Sequence, residues 1–241
     1  MLCFLAMALQ AQSLDNIKAP SKPKNGGKTT TTPQKPKTTP AEKKVVKGFV
    51  DLGLPSGTLW AECNIGATSP EQYGNYYAWG ETKPKEVYDW STYRHCTKDG
   101  EQLKKYCQKA DFGVTDSYSV LLSIDDVATV VFGNGAYIPK SEQWQELIDN
   151  TQNDWTEYNG VYGIKFTGIN GKYIFLPAVG YMNGSDLYHA EEQGNYWFSS
   201  LYADNPYYAW YFSFDSDSQE VEYMGYRFDG ISVRAVRARQ N

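Results

Sequence analysis

Oxygen-bearing side chains alternate along one short segment near the C-terminus, a spacing that could bind a hard cation. The segment is Asp215-Ser216-Asp217-Ser218-Gln219-Glu220, and Ca²⁺ prefers carboxylate and other oxygen ligands. It lacks the glycine turn of an EF-hand loop. We therefore favour the alternative, a polar turn between two strands, and the sequence predicts neither a bound metal ion nor a cofactor.

Histidine and cysteine are too sparse to predict a catalytic or metal centre. With only His95 and His189, a three-histidine iron site is impossible, and neither residue has a paired nucleophile that would predict a triad. We expect both at the surface or in loops. After residue 12, Cys63, Cys96 and Cys107 form no cluster with zinc-ligand spacing. One disulfide with a free thiol, or three reduced buried thiols, would both fit.

The last third of the chain is rich in tyrosine and small polar side chains. Tyrosine occurs 20 times in the chain, and it suits both strands and contact surfaces. We predict that a ligand is contacted by Tyr202, Asp204, Asn205, Tyr207, Tyr208, Tyr211, Ser213, Asp215, Glu222, Tyr223, Tyr226 and Arg227. The alternative is that these tyrosines only build strands.

A period-two pattern in residues 209–215 predicts which of these side chains point outward. The predicted core-facing residues are Trp210, Phe212 and Phe214. The predicted exposed residues are Tyr211, Ser213 and Asp215. Rigid rings beside adaptable hydrogen-bonding groups are typical of a paratope, so the pattern favours a binding face.

Short strands must position these residues, because short apolar runs alternate with Gly-, Asn- and Asp-rich turns. Only two segments favour helices. In residues 141–150, Trp144, Leu147 and Ile148 have the spacing of one buried face, whereas residues 125–130 could be a helix or a loop. The sequence predicts an α+β domain, mostly short antiparallel strands with two helices and long loops.

Charge divides the chain into two parts. Residues 18–47 carry nine lysines and one acid, whereas residues 48–241 carry 14 basic and 26 acidic residues. An acidic domain repels nucleic acid, so we expect no nucleic-acid partner. Residues 13–47, rich in Lys, Pro and Thr, predict an extended, disordered linker before one domain at 48–241.

The first residues, MLCFLAMAL, form an apolar run that is too short to span a bilayer. We interpret residues 1–12 as a truncated signal peptide without its basic start. The alternative is a cytosolic N-terminal strand. The signal interpretation predicts a protein that is secreted or held at the cell surface, without a membrane span.

Three segments of the domain resemble one known family. They are residues 50–82, with VDLGLPSGTLWA and YYAWGET, residues 138–144, IPKSEQW, and residues 196–234, with YWFSS, AWY and GISVR. Together they are similar to the Fibrobacter succinogenes major paralogous domain of bacterial surface proteins. Lys140 stands where the family usually has Thr, and Tyr137 stands where it has Arg.

The resemblance implies a C-type lectin-like fold, of the kind also found in formylglycine-generating enzymes. It also implies kinship with variable proteins diversified by retroelements, in which the last strands display the contact residues. The oxidase branch needs a late copper-binding cysteine pair, and no cysteine follows Cys107. The calcium-binding motifs of lectins are absent, since Asn153-Asp154-Trp155 has the right residues in the wrong order.

The resemblance also predicts which residues belong to the scaffold. We expect Arg234 and Arg237 to pair with acids of the domain. The predicted core tryptophans are Trp60, Trp79, Trp144, Trp197 and Trp210.

The function expected from these features is binding or adhesion outside the cytoplasm, to a protein or glycan surface, without catalysis. A carbohydrate-active hydrolase is one alternative, but its paired carboxylates cannot be chosen by spacing alone. The other alternative is a structural subunit of a surface appendage.

Overall fold

The computed structural model describes residues 48–133 and 135–239. The predicted signal peptide at 1–12 and linker at 13–47 lie outside the described residues. In chain order the strands are β1 Phe49–Asp51, β2 Thr58–Ala61, β3 Tyr76–Tyr77, β4 Ala136–Tyr137, β5 Thr151–Tyr158, β6 Val161–Gly168, β7 Tyr173–Pro177, β8 Tyr181–Asn183, β9 Asp186–Tyr188, β10 Gly194–Leu201, β11 Tyr208–Phe214, β12 Gln219–Tyr226, β13 Ile231–Ser232 and β14 Val236–Ala238. The helices are α1 Val127–Phe132 and α2 Ser141–Asp149. This mostly antiparallel arrangement of short strands with two helices confirms the predicted α+β class.

Four small sheets organise the strands. One has the order β1-β2-β14-β4, so the last strand pairs with strands from the start of the domain. The central sheet has the order β12-β11-β10-β13-β3 and is antiparallel except for β10 with β13. A three-stranded sheet of β5, β6 and β7 and a hairpin of β8 and β9 complete the set.

Local signals account for both helices and for the turn between β11 and β12. Helix α2 buries Trp144 and Leu147, as predicted, and Gln143 accepts the backbone N–H of Lys140 at its start. Helix α1 begins after Asp126, whose carboxylate accepts two backbone N–H groups of the first turn. The carboxylate of Asp215 accepts the N–H groups of residues 217 and 218. The polar-turn interpretation is therefore confirmed.

Strand β11 is covered on both faces, which corrects its predicted outward face. Tyr211 packs with Trp197 in one buried cluster, while Phe212 and Phe214 lie in another. Tyr211 and Ser213 are therefore buried, not exposed. A strand covered on both faces loses the apolar–polar alternation on which the prediction depended. Trp210 is only partly buried, whereas the other four predicted core tryptophans are fully buried.

Arg234 is a buried scaffold residue, but its partners are not acids. Its guanidinium donates to the Asn64 side chain at 2.9 Å and to three backbone carbonyls at 2.8 to 3.0 Å. Arg237 also lacks an acidic partner among the described residues, and its guanidinium lies over the Phe49 ring at 4.3 Å. Carbonyl dipoles and an aromatic ring thus replace the predicted ion pairs.

The predictions for the cysteines and the histidines can also be compared with the structure. Cys63, Cys96 and Cys107 are buried free thiols, in agreement with the second of the two alternatives. His189 is exposed and His95 lies in a loop, as expected, although the His95 side chain is buried. Across residues 48–133 and 135–239, no helix has the length and apolar character needed to cross a bilayer.

A fragment that begins at residue 47 is expected to fold on its own. The first strand, β1, starts at Phe49 and pairs with β2, so the sheet keeps all its strands. Thermal unfolding of residues 47–241 should show a cooperative transition close to that of the full chain. A fragment without such a transition would place the domain boundary earlier in the chain.

Candidate ligand-binding surface

Six tyrosines gather around one buried carboxyl at the end of the central sheet. We call this surface the tyrosine face, and it consists of Tyr181, Tyr188, Tyr208, Tyr211, Tyr223 and Tyr226 around Asp229. Three ring pairs build it: the centroids are 5.6 Å apart for Tyr181 and Tyr188, 4.6 Å for Tyr208 and Tyr226, and 5.3 Å for Tyr211 and Tyr223.

Strand pairing forms two of the three ring pairs. In the β11–β12 register, Tyr211 lies opposite Tyr223 and Tyr208 opposite Tyr226, so each pair is a cross-strand neighbour. The β8–β9 hairpin joins the sheet edge through two backbone hydrogen bonds between Met182 and Gly230, of 2.8 and 2.9 Å. These bonds bring Tyr181 and its neighbours to the late strands.

Gly225 leaves the room that the face needs. A Cβ atom at this position would lie 2.9 Å from a ring carbon of Tyr211 and 3.6 Å from Oδ2 of Asp229. A side chain at position 225 would clash with the Tyr211 ring. The glycine therefore lets the Tyr211 ring and the carboxyl approach the β12 backbone closely.

Asp229 is the electrostatic centre of the face. It is 6% exposed, and Oδ1 accepts a hydrogen bond from Asn183 Nδ2 at 2.8 Å. Burial raises the pKa of Asp229 to about 7, although the hydrogen bond from Asn183 opposes the shift. In the described part of the chain, no lysine, arginine or histidine forms an ion pair with it.

The phenols of Tyr181, Tyr208 and Tyr211 remain protonated at neutral pH. Burial raises the pKa of Tyr181, Tyr208 and Tyr211, and the negative charge of Asp229 raises each of them further. The face thus presents aromatic rings, neutral hydroxyl groups and one carboxyl that changes charge near pH 7. Such a set can stack on a ligand, exchange hydrogen bonds with it and attract a positive charge.

The structure divides the twelve predicted contact residues into three groups. Four are exposed: Asp204, Glu222, Tyr223 and Tyr226. Five are partly buried: Tyr202, Asn205, Tyr207, Tyr208 and Asp215. Three are buried: Tyr211, Ser213 and Arg227. Among the twelve, Tyr208 pairs with Tyr226 and Tyr211 pairs with Tyr223 across β11 and β12.

Several of the other predicted contacts have structural partners. The Tyr207 hydroxyl donates to the carbonyl of Glu101 at 3.0 Å. The ring of Tyr202 packs edge-on against Trp210, with centroids 4.8 Å apart. Ser213 hydrogen-bonds the Asn195 side chain inside the sheet at 3.1 Å. These side chains are held by the fold.

Arg227 is the clearest correction among the predicted contacts. It is fully buried and donates to the Tyr93 hydroxyl and to the carbonyls of Lys105, Tyr106 and Pro206, at 2.9 to 3.1 Å. Its guanidinium also lies 5.0 Å from the centre of the Trp79 ring. All of these partners come from loops that precede β12, which the sequence could not place near it. Arg227 joins these loops and cannot contact a ligand at the surface.

Sequence reasoning missed Asp229, Asn183, Tyr181 and Tyr188. Asn183 and Asp229 are 46 positions apart in the chain, and no spacing rule links them. A weak signal was present, since Tyr181 and Tyr188 flank a short polar turn that resembles a hairpin.

A second buried cluster surrounds Asp125, but it is neutralised internally. Lys105 and Tyr106 donate to its carboxylate, and the Tyr106 hydroxyl lies 2.7 Å away. Arg94 and His95 each lie 3.9 Å from the other carboxylate oxygen. Within the described ranges, no group of three His, Cys, Asp or Glu side chains could hold a metal ion.

Comparison with protein-family models, curated proteins and solved structures finds no match to this chain.

Proposed function

We propose that this domain binds or adheres to a protein or glycan surface outside the cytoplasm, and that the tyrosine face is its contact surface. The observation that carries the proposal is the gathering of six tyrosines from β8, β9, β11 and β12 around the buried carboxyl of Asp229. The apolar start and the lysine-rich segment before residue 48 support export and presentation on a spacer.

A C-type lectin-like fold is part of the proposal. Its support is that the three family-like segments pack into one core. Trp60 and Trp144, from the first and second segments, have ring centroids 4.7 Å apart, and Trp144 lies 5.9 Å from Tyr196 of the third. Arg234 of the third segment donates to Asn64 of the first. A retroelement-diversified variable protein is the particular relationship that this fold would favour.

The composition of the face suits recognition more than turnover. Tyrosine rings offer large contact area with little conformational entropy to lose, and their hydroxyls supply directional hydrogen bonds. Glycoside hydrolysis, the alternative, would need a second carboxylate placed against the substrate. The described hydrogen-bond partners of Asp229 are the Asn183 amide and the Tyr226 backbone instead.

Replacing Tyr223 with serine is expected to weaken ligand binding while leaving the fold intact. Tyr223 is 47% exposed, so its loss should change stability by no more than about 0.5 kcal/mol. As an aromatic contact it should cost about 1 kcal/mol or more of binding free energy. The measurement is affinity for glycans retained on an array, or for a purified protein ligand, beside thermal unfolding.

Tyr162 supplies a matched control, because it is 44% exposed but belongs to β6 in a different sheet. Tyr162→Ser should leave both binding and stability nearly unchanged. Equal losses of affinity in the two variants, or none in Tyr223→Ser, would contradict the proposed contact surface.

A further inference from the structure

We infer that the ligand of the tyrosine face presents an organic ammonium group, which binds against the Asp229 carboxylate. The inference rests on the proposed function and names the chemistry that the same surface recognises.

The first support is that Asp229 lacks the neutralisation given to the other buried acids of the described chain. Glu81 has the ammonium of Lys85 at 3.0 Å. Asp125 has Lys105, with the guanidinium of Arg94 at 3.9 Å. Asp126 accepts three backbone N–H groups, from residues 128, 129 and 138.

Asp229 has only neutral donors, the Asn183 amide and the Tyr226 backbone, and, among the described residues, no cation. Burying a carboxylate without a counter-charge is costly, and a ligand cation would remove that cost. Asp229 is 6% exposed, and Tyr211 beside it packs against the exposed ring of Tyr223. A cation from solvent would approach the carboxyl past Tyr223.

The second support is the aromatic surroundings. A Cβ atom at Gly225 would lie 2.9 Å from the Tyr211 ring and 3.6 Å from Asp229 Oδ2, so the ring and the carboxyl are neighbours, and the Tyr211 ring packs on Tyr223 with centroids 5.3 Å apart. Besides burial, the charge of Asp229 raises the pKa of Tyr181, Tyr208 and Tyr211. Aromatic faces around a negative charge attract ammonium groups through cation–π interactions, and methylated ammonium groups lose little hydration there.

The donor set favours an ammonium group over other cations. A hard metal ion needs six or more oxygen ligands, and this face offers a single carboxylate among neutral phenols. A guanidinium binds best to two free carboxylate oxygens, but Asn183 already occupies Oδ1. An ammonium group needs only Oδ2 and the surrounding rings.

Charge linkage gives the interaction a pH dependence. The groups facing Asp229 are Asn183 and the phenols of Tyr181, Tyr208 and Tyr211, which stay neutral across the range that matters. Only ionised Asp229 attracts the cation, so affinity should be highest above pH 7. Below pH 7 the affinity should decrease with each pH unit, and the decrease should approach about tenfold per unit.

The test compares choline with dimethylbutanol, its uncharged carbon isostere, by calorimetry and by the amide shift of Gly225 in the full chain. Choline should bind roughly tenfold more tightly than the isostere. Butylamine is the probe with a primary ammonium group. Its affinity, compared with that of choline, shows whether the surface prefers primary or methylated ammonium groups. Equal affinity of choline, butylamine and the isostere, or no saturable binding of either ammonium, would overturn the inference.

Asp229→Asn should abolish the preference for the ammonium probes, whereas Asp217→Asn, the same charge change at an exposed turn, should preserve it. Should Asp229→Asn fail to fold, the wild-type affinity for choline between about pH 8 and pH 5 tests the same point, because a flat profile excludes Asp229. If the wild type shows no preference for choline, but Tyr223→Ser still weakens binding of the array ligand, this inference alone is refuted. If the preference for choline depends on Asp229, but Tyr223→Ser does not weaken binding of the array ligand, the proposed contact surface is refuted.

Discussion

Asp229→Asn should convert a nearly flat profile of unfolding free energy between pH 4 and 6.5 into one that rises with pH. Two buried groups titrate in opposite directions in this range. Asp229 has its pKa raised from 3.8 to about 7 by burial, so the folded state holds its proton more tightly than the unfolded state. Its stabilising contribution is complete below pH 3.8 and is lost as pH rises to 7, by about 4 kcal/mol.

The titration of His95 changes the free energy of unfolding in the opposite direction. Burial lowers its pKa from 6.5 to about 4, and the nearby Arg227 and Arg94 lower it further, against the Gly80 carbonyl and Asp125. The neutral imidazole therefore stabilises the fold above pH 6.5, and this contribution of about 3 kcal/mol is lost as pH falls through 4. In the wild type the two slopes largely cancel. Removal of Asp229 leaves the rise that His95 produces.

Chemical denaturation at a series of pH values measures both slopes. The His95→Gln variant is the natural counterpart, because it removes the rising contribution and should leave a profile that falls from pH 4 to 7. An Asp229→Asn profile that stays flat, or a His95→Gln profile that rises, would contradict the assignment of these titrations.

Features encoded by neighbouring residues could be predicted from the sequence. Strand β11, Tyr208–Phe214, covers all but the last residue of the 209–215 segment that has the period-two pattern, and α2 begins at the predicted Ser141 and ends within one residue of the predicted position. The turn at Asp215 also follows from local chemistry, since its carboxylate binds the N–H groups just after it. Each of these depends on residues within a few positions.

Features that depend on what covers an element could not be predicted in this way. The period-two pattern of β11 does not reveal that a second cluster covers Tyr211, so the predicted exposure of that face was wrong. The centre of the candidate site was missed because Asp229 depends on Asn183 of a distant hairpin. The prediction of Arg227 as a contact was wrong because its partners, except Pro206, lie more than 100 positions away.

Arg227→Met should destabilise the domain by about 4 kcal/mol or more without acting on the ligand surface directly. The change leaves one hydroxyl and three carbonyls of the buried loops without their donor, and each buried group without a partner costs about 1 to 3 kcal/mol. Arg227→Lys should rescue little, because one ammonium group cannot reach the acceptors that the planar guanidinium spans.

Arg94→Met is the control for that loss. The Arg94 side chain is 60% exposed and lies 3.9 Å from Asp125, so the variant should lose no more than about 1 kcal/mol. Urea denaturation of the three variants measures the differences. If Arg227→Met kept the wild-type midpoint and lost ligand affinity, the residue would be a contact after all. The loops it joins would then be held by the aromatic packing of Trp79 and Tyr106 alone, whose ring centroids lie 5.0 Å apart.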